Sequence, residues 1–80
     1  MSDDVFTALR PTVEASELDK TFVRCFSTKE GQEVLEHLRS VTIEQPTFYP
    51  GEDASHGFAR EGQNSLVREI ERRIKRGRET

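Results

Sequence analysis

Cysteine is nearly absent: Cys25 is the one thiol in 80 residues, so no disulfide can staple the chain from within. A lone thiol fits a reducing compartment. Long apolar runs are missing too, since none approaches the ~20 residues that a membrane-spanning helix needs. Met1-Ser2-Asp3-Asp4 is acidic where an export signal carries a basic region. The expectation is a chain made in the cytoplasm, with no membrane span. Metal-ligand spacing is lacking: Cys25, His37 and His56 lie far apart, without a CxxC, HxxxH or HExxH pattern. Glu33 and His37, four apart on one helix face, read as a surface pair. Catalytic patterns are lacking as well. Ser65 is flanked two residues away by Gln63 and Val67 rather than by the glycines of a nucleophile elbow, Cys25 has no histidine near it in sequence, and no phosphate-cradling GxxxxGKS loop occurs. No catalytic residue, cofactor or metal is therefore assigned, and an enzyme is not expected.

Apolar mass is short as well. Hydrophobic residues make up 32% and charged residues 34% of the chain, which is lean for one small domain that must bury its own core. Small proteins in this position rely on disulfides, metal, oligomerisation or a partner surface, and the first two have just been set aside. Net charge −3 hides an asymmetry: Met1 to Glu36 carries eight acids against four bases, whereas Arg68 to Arg78 carries six bases against Glu69 and Glu71. Such a chain is suited to facing two partners or to associating head to tail.

Apolar residues are concentrated around the stretch from Phe22 to Leu38. Leu18, Phe22 and Phe26 recur every four residues, Val23 and Cys25 widen that stripe, and a second stripe of Val34, Leu35 and Leu38 follows. Between them, Ser27-x-x-Glu30 has the capping-box form, with Thr28 a competing cap one residue later. The pattern predicts one helix from about Ser16 to Phe26, with Glu17 and Asp19 in its first turn, and a second from about Lys29 to Ser40, meeting at a sharp corner. Gly31 is expected to let the end of the first helix approach closely. Residues 1–15 read as an arm, stopped by Pro11 and carrying Val5, Phe6 and Leu9 as docking surface; residues 16–80 form the helical mini-domain.

Val41 to Gly57 is irregular, with Pro46 and the turn signal Pro50-Gly51. Phe48 and Tyr49 within it either fold back as a lid over the two-helix corner or stand exposed as a partner anchor; the lid is expected. A third helix is predicted from Ser55 or Gly57 to Arg76, with Phe58, Gly62, Leu66, Ile70 and Ile74 spaced by four as its apolar stripe. Gly62 in that stripe suggests close backbone contact. The helix outruns its shorter neighbours, so its end at Ile70 and Ile74 is expected to need a partner. Arg68, Arg72, Arg73, Lys75 and Arg76 form a basic run that suits nucleic-acid contact, although cations stabilise a helix C-terminus whatever the function.

Phe22-x-x-x-Phe26-x-Thr28-x-x-Gly31-x-x-Val34-Leu35-x-x-Leu38, a Pro-containing aromatic loop, and Phe58-Ala59-Arg60-Glu61-Gly62-Gln63-x-x-Leu66-Val67-x-x-Ile70 together resemble a family of short tailed-phage virion proteins named after a structural gene of a Bordetella podophage. The resemblance spans about Leu18 to Ile74, on structural residues such as Phe22, Phe26, Thr28, Gly31, Phe58, Gly62 and Leu66. It implies a non-enzymatic virion component with no catalytic residues. The expectation is an all-α mini-domain that docks in many symmetric copies on the portal, the head-tail connector or the inner capsid wall. Its partner-binding residues would be Val5, Phe6, Leu9, Phe48, Tyr49, Ile70 and Ile74. A packaged-genome or nucleic-acid contact protein and a small host-directed regulator are the alternatives.

Overall fold

A computed structural model describes residues 14–79. It is all-α: helix α1 spans Ala15–Phe26, α2 Lys29–Ser40 and α3 Ala54–Glu79, with no strand among the described residues. The expectations for Val5, Phe6 and Leu9 fall outside the described residues.

Helix α1 starts from Glu14, whose carbonyl accepts the Leu18 N–H at 2.9 Å and whose side chain makes no cap. Glu17 alone is the acid of its first turn. Asp19 lies past that turn and is buried, so its expected role beside the helix dipole is replaced by the ion pairing described below. Of the two caps that the sequence offers at the corner, Thr28 forms and the Ser27 capping box does not. Ser27 continues the helical backbone of α1 (φ −90°, ψ −13°), whereas a cap needs an extended residue. Thr28 is extended (φ −71°, ψ 158°), and its hydroxyl accepts the Gly31 N–H at 2.9 Å. A Cβ at Gly31 would fall 2.2 Å from the Cys25 carbonyl oxygen and 2.8 Å from Phe26 Cα. The close approach expected at Gly31 is thus what allows so short a turn. Helix α2 keeps the bounds that its pattern predicts.

The connection from Val41 to Asp53 lies beyond the far end of α2, so α3 begins away from the corner and runs back toward it: Glu71 reaches Arg39 near the end of α2, and Ile74 and Arg78 lie beside Leu35 and Gln32 nearer its start. Tyr49-Pro50-Gly51-Glu52 is a tight turn in which Pro50 fixes one dihedral, Gly51 takes φ +79°, and the Glu52 N–H donates to the Tyr49 carbonyl at 3.2 Å. Asp53 then caps α3, its carboxylate accepting the Ser55 N–H at 2.9 Å. Because of this detour α3 meets the corner with its C-terminal half. The expected uncovered end at Ile70 and Ile74 is therefore corrected: Ile74 is 7% exposed and Ile70 half-buried, beside α1 and α2. The overhang is at the other end, over the first turns of α3.

The stripe expected on α3 is also corrected. Residues spaced strictly by four drift about 40° around a helix at each step, since a turn takes 3.6 residues. The face turned inward is Gly57, Asn64, Val67 and Ile74, at spacings of seven, three and seven. Phe58 and Leu66 point outward, 68% and 66% exposed. Gly62 has no neighbour for a Cβ within 4 Å, so it does not pack α3 on the corner. Gly77 does so, where a Cβ would meet Val23 Cγ2 at 2.5 Å and the Asp19 carbonyl at 2.6 Å. Cys25, assigned by its spacing to the apolar stripe of α1, is exposed. The core is small: among the described residues Val67 and Ile74 are the buried hydrophobic ones, ringed by half-buried Leu18, Phe22, Phe26, Leu35, Leu38 and Ile43.

Candidate functional site

Among the described residues, two surfaces of α3 carry the chemistry on offer. The first is apolar and lies at the overhang. Phe48 folds back over Gly57, where a Cβ would come within 2.2 Å of its ring, and meets Phe58 edge to face at 5.6 Å between centroids. Tyr49 lies under the Arg60 guanidinium at 4.8 Å. Arg60 Nε donates to the Thr47 carbonyl at 2.7 Å, and Arg60 also pairs with Glu52, so one side chain ties both limbs of the loop to α3. The aromatic pair therefore covers the start of α3 rather than the two-helix corner, and about half of each ring remains exposed. Gly57 is the sequence signal: only a glycine there leaves room for Phe48.

Asn64 completes this attachment, and periodicity gave no hint of it. It is 2% exposed, with its amide 3.4 Å from the Thr47 hydroxyl and its carbonyl oxygen without a protein partner. Burial of a polar side chain at the hinge between loop and helix fixes their register at some cost in stability.

The second surface is charged. Arg68 pairs with Glu61 at 2.7 Å and Arg72 with Glu69 at 2.9 Å. Arg73 reaches both Glu69 at 2.9 Å and Asp19 at 3.0 Å, and Arg76 reaches Asp19 at 3.4 Å. The hydrogen bond from Arg72, with the nearby Arg73, holds the Glu69 carboxyl below its ordinary range. Of the positions expected to suit nucleic-acid contact, Arg68, Arg72, Arg73 and Arg76 are thus engaged by acids of this chain, and Arg73 also stacks over Phe22 at 5.8 Å. Lys75 stands beside a 510 Å³ groove whose apolar floor is Phe26, Leu35 and Ile74. Arg39 bridges α2 to Glu71 on α3, and that pairing raises its already high pKa.

Glu33, His37 and His56 are exposed. Among the described residues no group of three or more His, Cys, Asp or Glu side chains is placed to hold a metal ion. No helix among them is long and apolar enough to cross a membrane.

No curated protein and no solved structure matches the chain. Residues 22–79, however, match the family described as Bbp19-like phage protein. The match runs from the middle of α1 to the end of α3 and takes in the Thr28 cap, the Gly31 corner, the aromatic loop and the whole of the long helix. With 58 of its 80 residues inside that match, this chain belongs to the Bbp19-like phage protein family.

Proposed function

We propose that the chain is a non-enzymatic component of the phage particle, seated in several symmetric copies on a larger assembly: the portal, the head-tail connector or the inner capsid wall. The observation that carries this reading is the imbalance of its apolar surface. Among the described residues two hydrophobic side chains, Val67 and Ile74, are buried, while Phe48, Tyr49, Phe58, Leu66, Val34 and Val41 are exposed. Scattered exposed apolar residues are ordinary, but a cluster of aromatic rings on one overhang marks a contact surface. Membership of a phage protein family supplies the context for that contact.

The docking surface centres on Phe48 and Tyr49, with Phe58 between them and the solvent-facing side of α3. Half-buried Ile70, and Val5, Phe6 and Leu9 of the arm, are proposed as further partner contacts. Ile74 leaves the docking set, because its side chain is taken up by the chain's own core. The acids that engage Arg68, Arg72, Arg73 and Arg76 weigh against the nucleic-acid alternative, since phosphates would have to displace them.

Quantitative mass spectrometry of purified particles tests the proposal. The expected result is the chain at a fixed copy number relative to the portal subunit, retained after nuclease treatment and a salt wash. Absence from purified particles would overturn it and favour a host-directed role; loss on nuclease treatment would favour genome contact.

A further inference from the structure

The exposed face of α3 opposite its core has a composition that fits a second copy of itself. Ser55, Phe58, Ala59, Gly62, Ser65 and Leu66 recur at spacings of three and four, all are exposed, and no charged side chain interrupts this face between Ser55 and Leu66. Gly62 lies at its centre with open space in front of it. We infer that two copies of the chain pair antiparallel through this face, about a two-fold axis passing near Gly62.

What selects a second copy over a different partner is that the face is self-complementary. Phe58 and Leu66 stand four residues before and four after Gly62. On an antiparallel partner, Phe58 falls beside Ser65 of the other copy, and Leu66 beside its Ala59. Each large side chain thus meets a small one, and the two Gly62 positions let the backbones approach. Parallel pairing would set Phe58 level with Phe58 and Leu66 level with Leu66. Charges do not oppose the approach: Glu52 and Arg72, ten residues before and after Gly62, are held by their own Arg60 and Glu69, and Glu61, which would approach its symmetry mate at the flank, is neutralised by its own Arg68 at 2.7 Å. Antiparallel helices also align their dipoles favourably.

One helix face of about three turns covers less than the ~800 Å² per partner of a standard stable interface. The pair therefore dissociates on dilution, and its natural setting is an assembly that raises the local concentration. The inference does not depend on the virion reading, since it concerns the purified chain alone.

Sedimentation equilibrium of the full chain over a wide concentration range is the first measurement, with a reversible monomer–dimer equilibrium expected. Gly62→Gln should weaken it roughly 10- to 100-fold, as side chains forced into the closest approach do; helical content by circular dichroism should hold, because the position is open within the monomer. Orientation is read by cross-linking in a Cys25→Ser background. Chains carrying Ala59→Cys mixed with chains carrying Leu66→Cys should oxidise to a mixed dimer, and neither alone should do so efficiently. Dimers of each variant with itself, without the mixed species, would overturn the antiparallel arrangement. A wild-type chain that stays monomeric at millimolar concentration would overturn pairing altogether and leave the face to a different protein.

Discussion

Asp19 binds α1 to the end of α3 through two guanidinium groups, Arg73 at 3.0 Å and Arg76 at 3.4 Å, and its side chain is 9% exposed. Removing it strands Arg73 over Phe22 without a carboxylate on that side. Arg73 keeps Glu69 and some water, so the penalty falls short of that for a fully buried pair. Asp19→Ala should cost about 1–3 kcal/mol in urea denaturation, and Asp19→Asn less, because an amide oxygen still accepts one hydrogen bond. A second residue-scale outcome concerns acid. The Ser55 N–H lowers the Asp53 pKa below its ordinary 3.8, and Arg72 lowers that of Glu69 below 4.5. Groups whose folded-state values are depressed contribute stability that is complete above the ordinary value and lost as pH falls through the folded one. The melting temperature should therefore be insensitive to these groups above the ordinary carboxylate range and should drop on acidification below it. Asp53→Asn, which preserves a cap, should shrink that drop in melts followed by circular dichroism. In the sequence Asp19 read as a first-turn acid, and nothing in helical periodicity pointed to a partner 54 residues away.

At the scale of the element, α3 separates two readings of one apolar pattern. Spacing by four connects Phe58, Gly62, Leu66, Ile70 and Ile74, yet the buried line runs through Gly57, Asn64, Val67 and Ile74. The two lines converge only near the C-terminal end, where the helix has turned enough for Ile74 to serve both. Neighbouring residues should accordingly behave in opposite ways in the dilute monomer. Val67→Ala is expected to cost about 1–3 kcal/mol by emptying part of the core, whereas Leu66→Ala should change stability by about 0.5 kcal/mol or less. The same contrast holds for glycines: Gly62→Ala should stabilise the helix by up to about 1 kcal/mol, while Gly77→Ala should destabilise through its clash with Val23 and the Asp19 carbonyl. Denaturant titrations of the four variants check this register. Helix existence, the bounds of α2 and the need for Gly31 were legible, because each follows from local spacing and turn chemistry. The inward face of the long helix was not. It depends on where a loop of two prolines delivers the chain, and a buried asparagine carries no apolar signal.

At the largest scale, the leanness read from composition reappears among the described residues as a core of two buried hydrophobic side chains and a shell of half-buried ones. Which end of α3 would be left over was not legible, since overhang depends on the direction in which the loop at 41–53 returns. That return fastens the C-terminal half to α1 and α2 and leaves Phe48, Tyr49, Phe58 and Leu66 facing outward at the other end. Surface of this kind gains from being covered, at about 25 cal/mol for each Å² removed from water, and binding partners raise apparent stability by mass action. The direct measurement is thermal unfolding of the full chain across a hundredfold range of concentration. A midpoint that climbs with concentration, and climbs less for Gly62→Gln, is the expected result; a sharp transition at one fixed temperature throughout that range, from a species that sediments as a monomer, would contradict it.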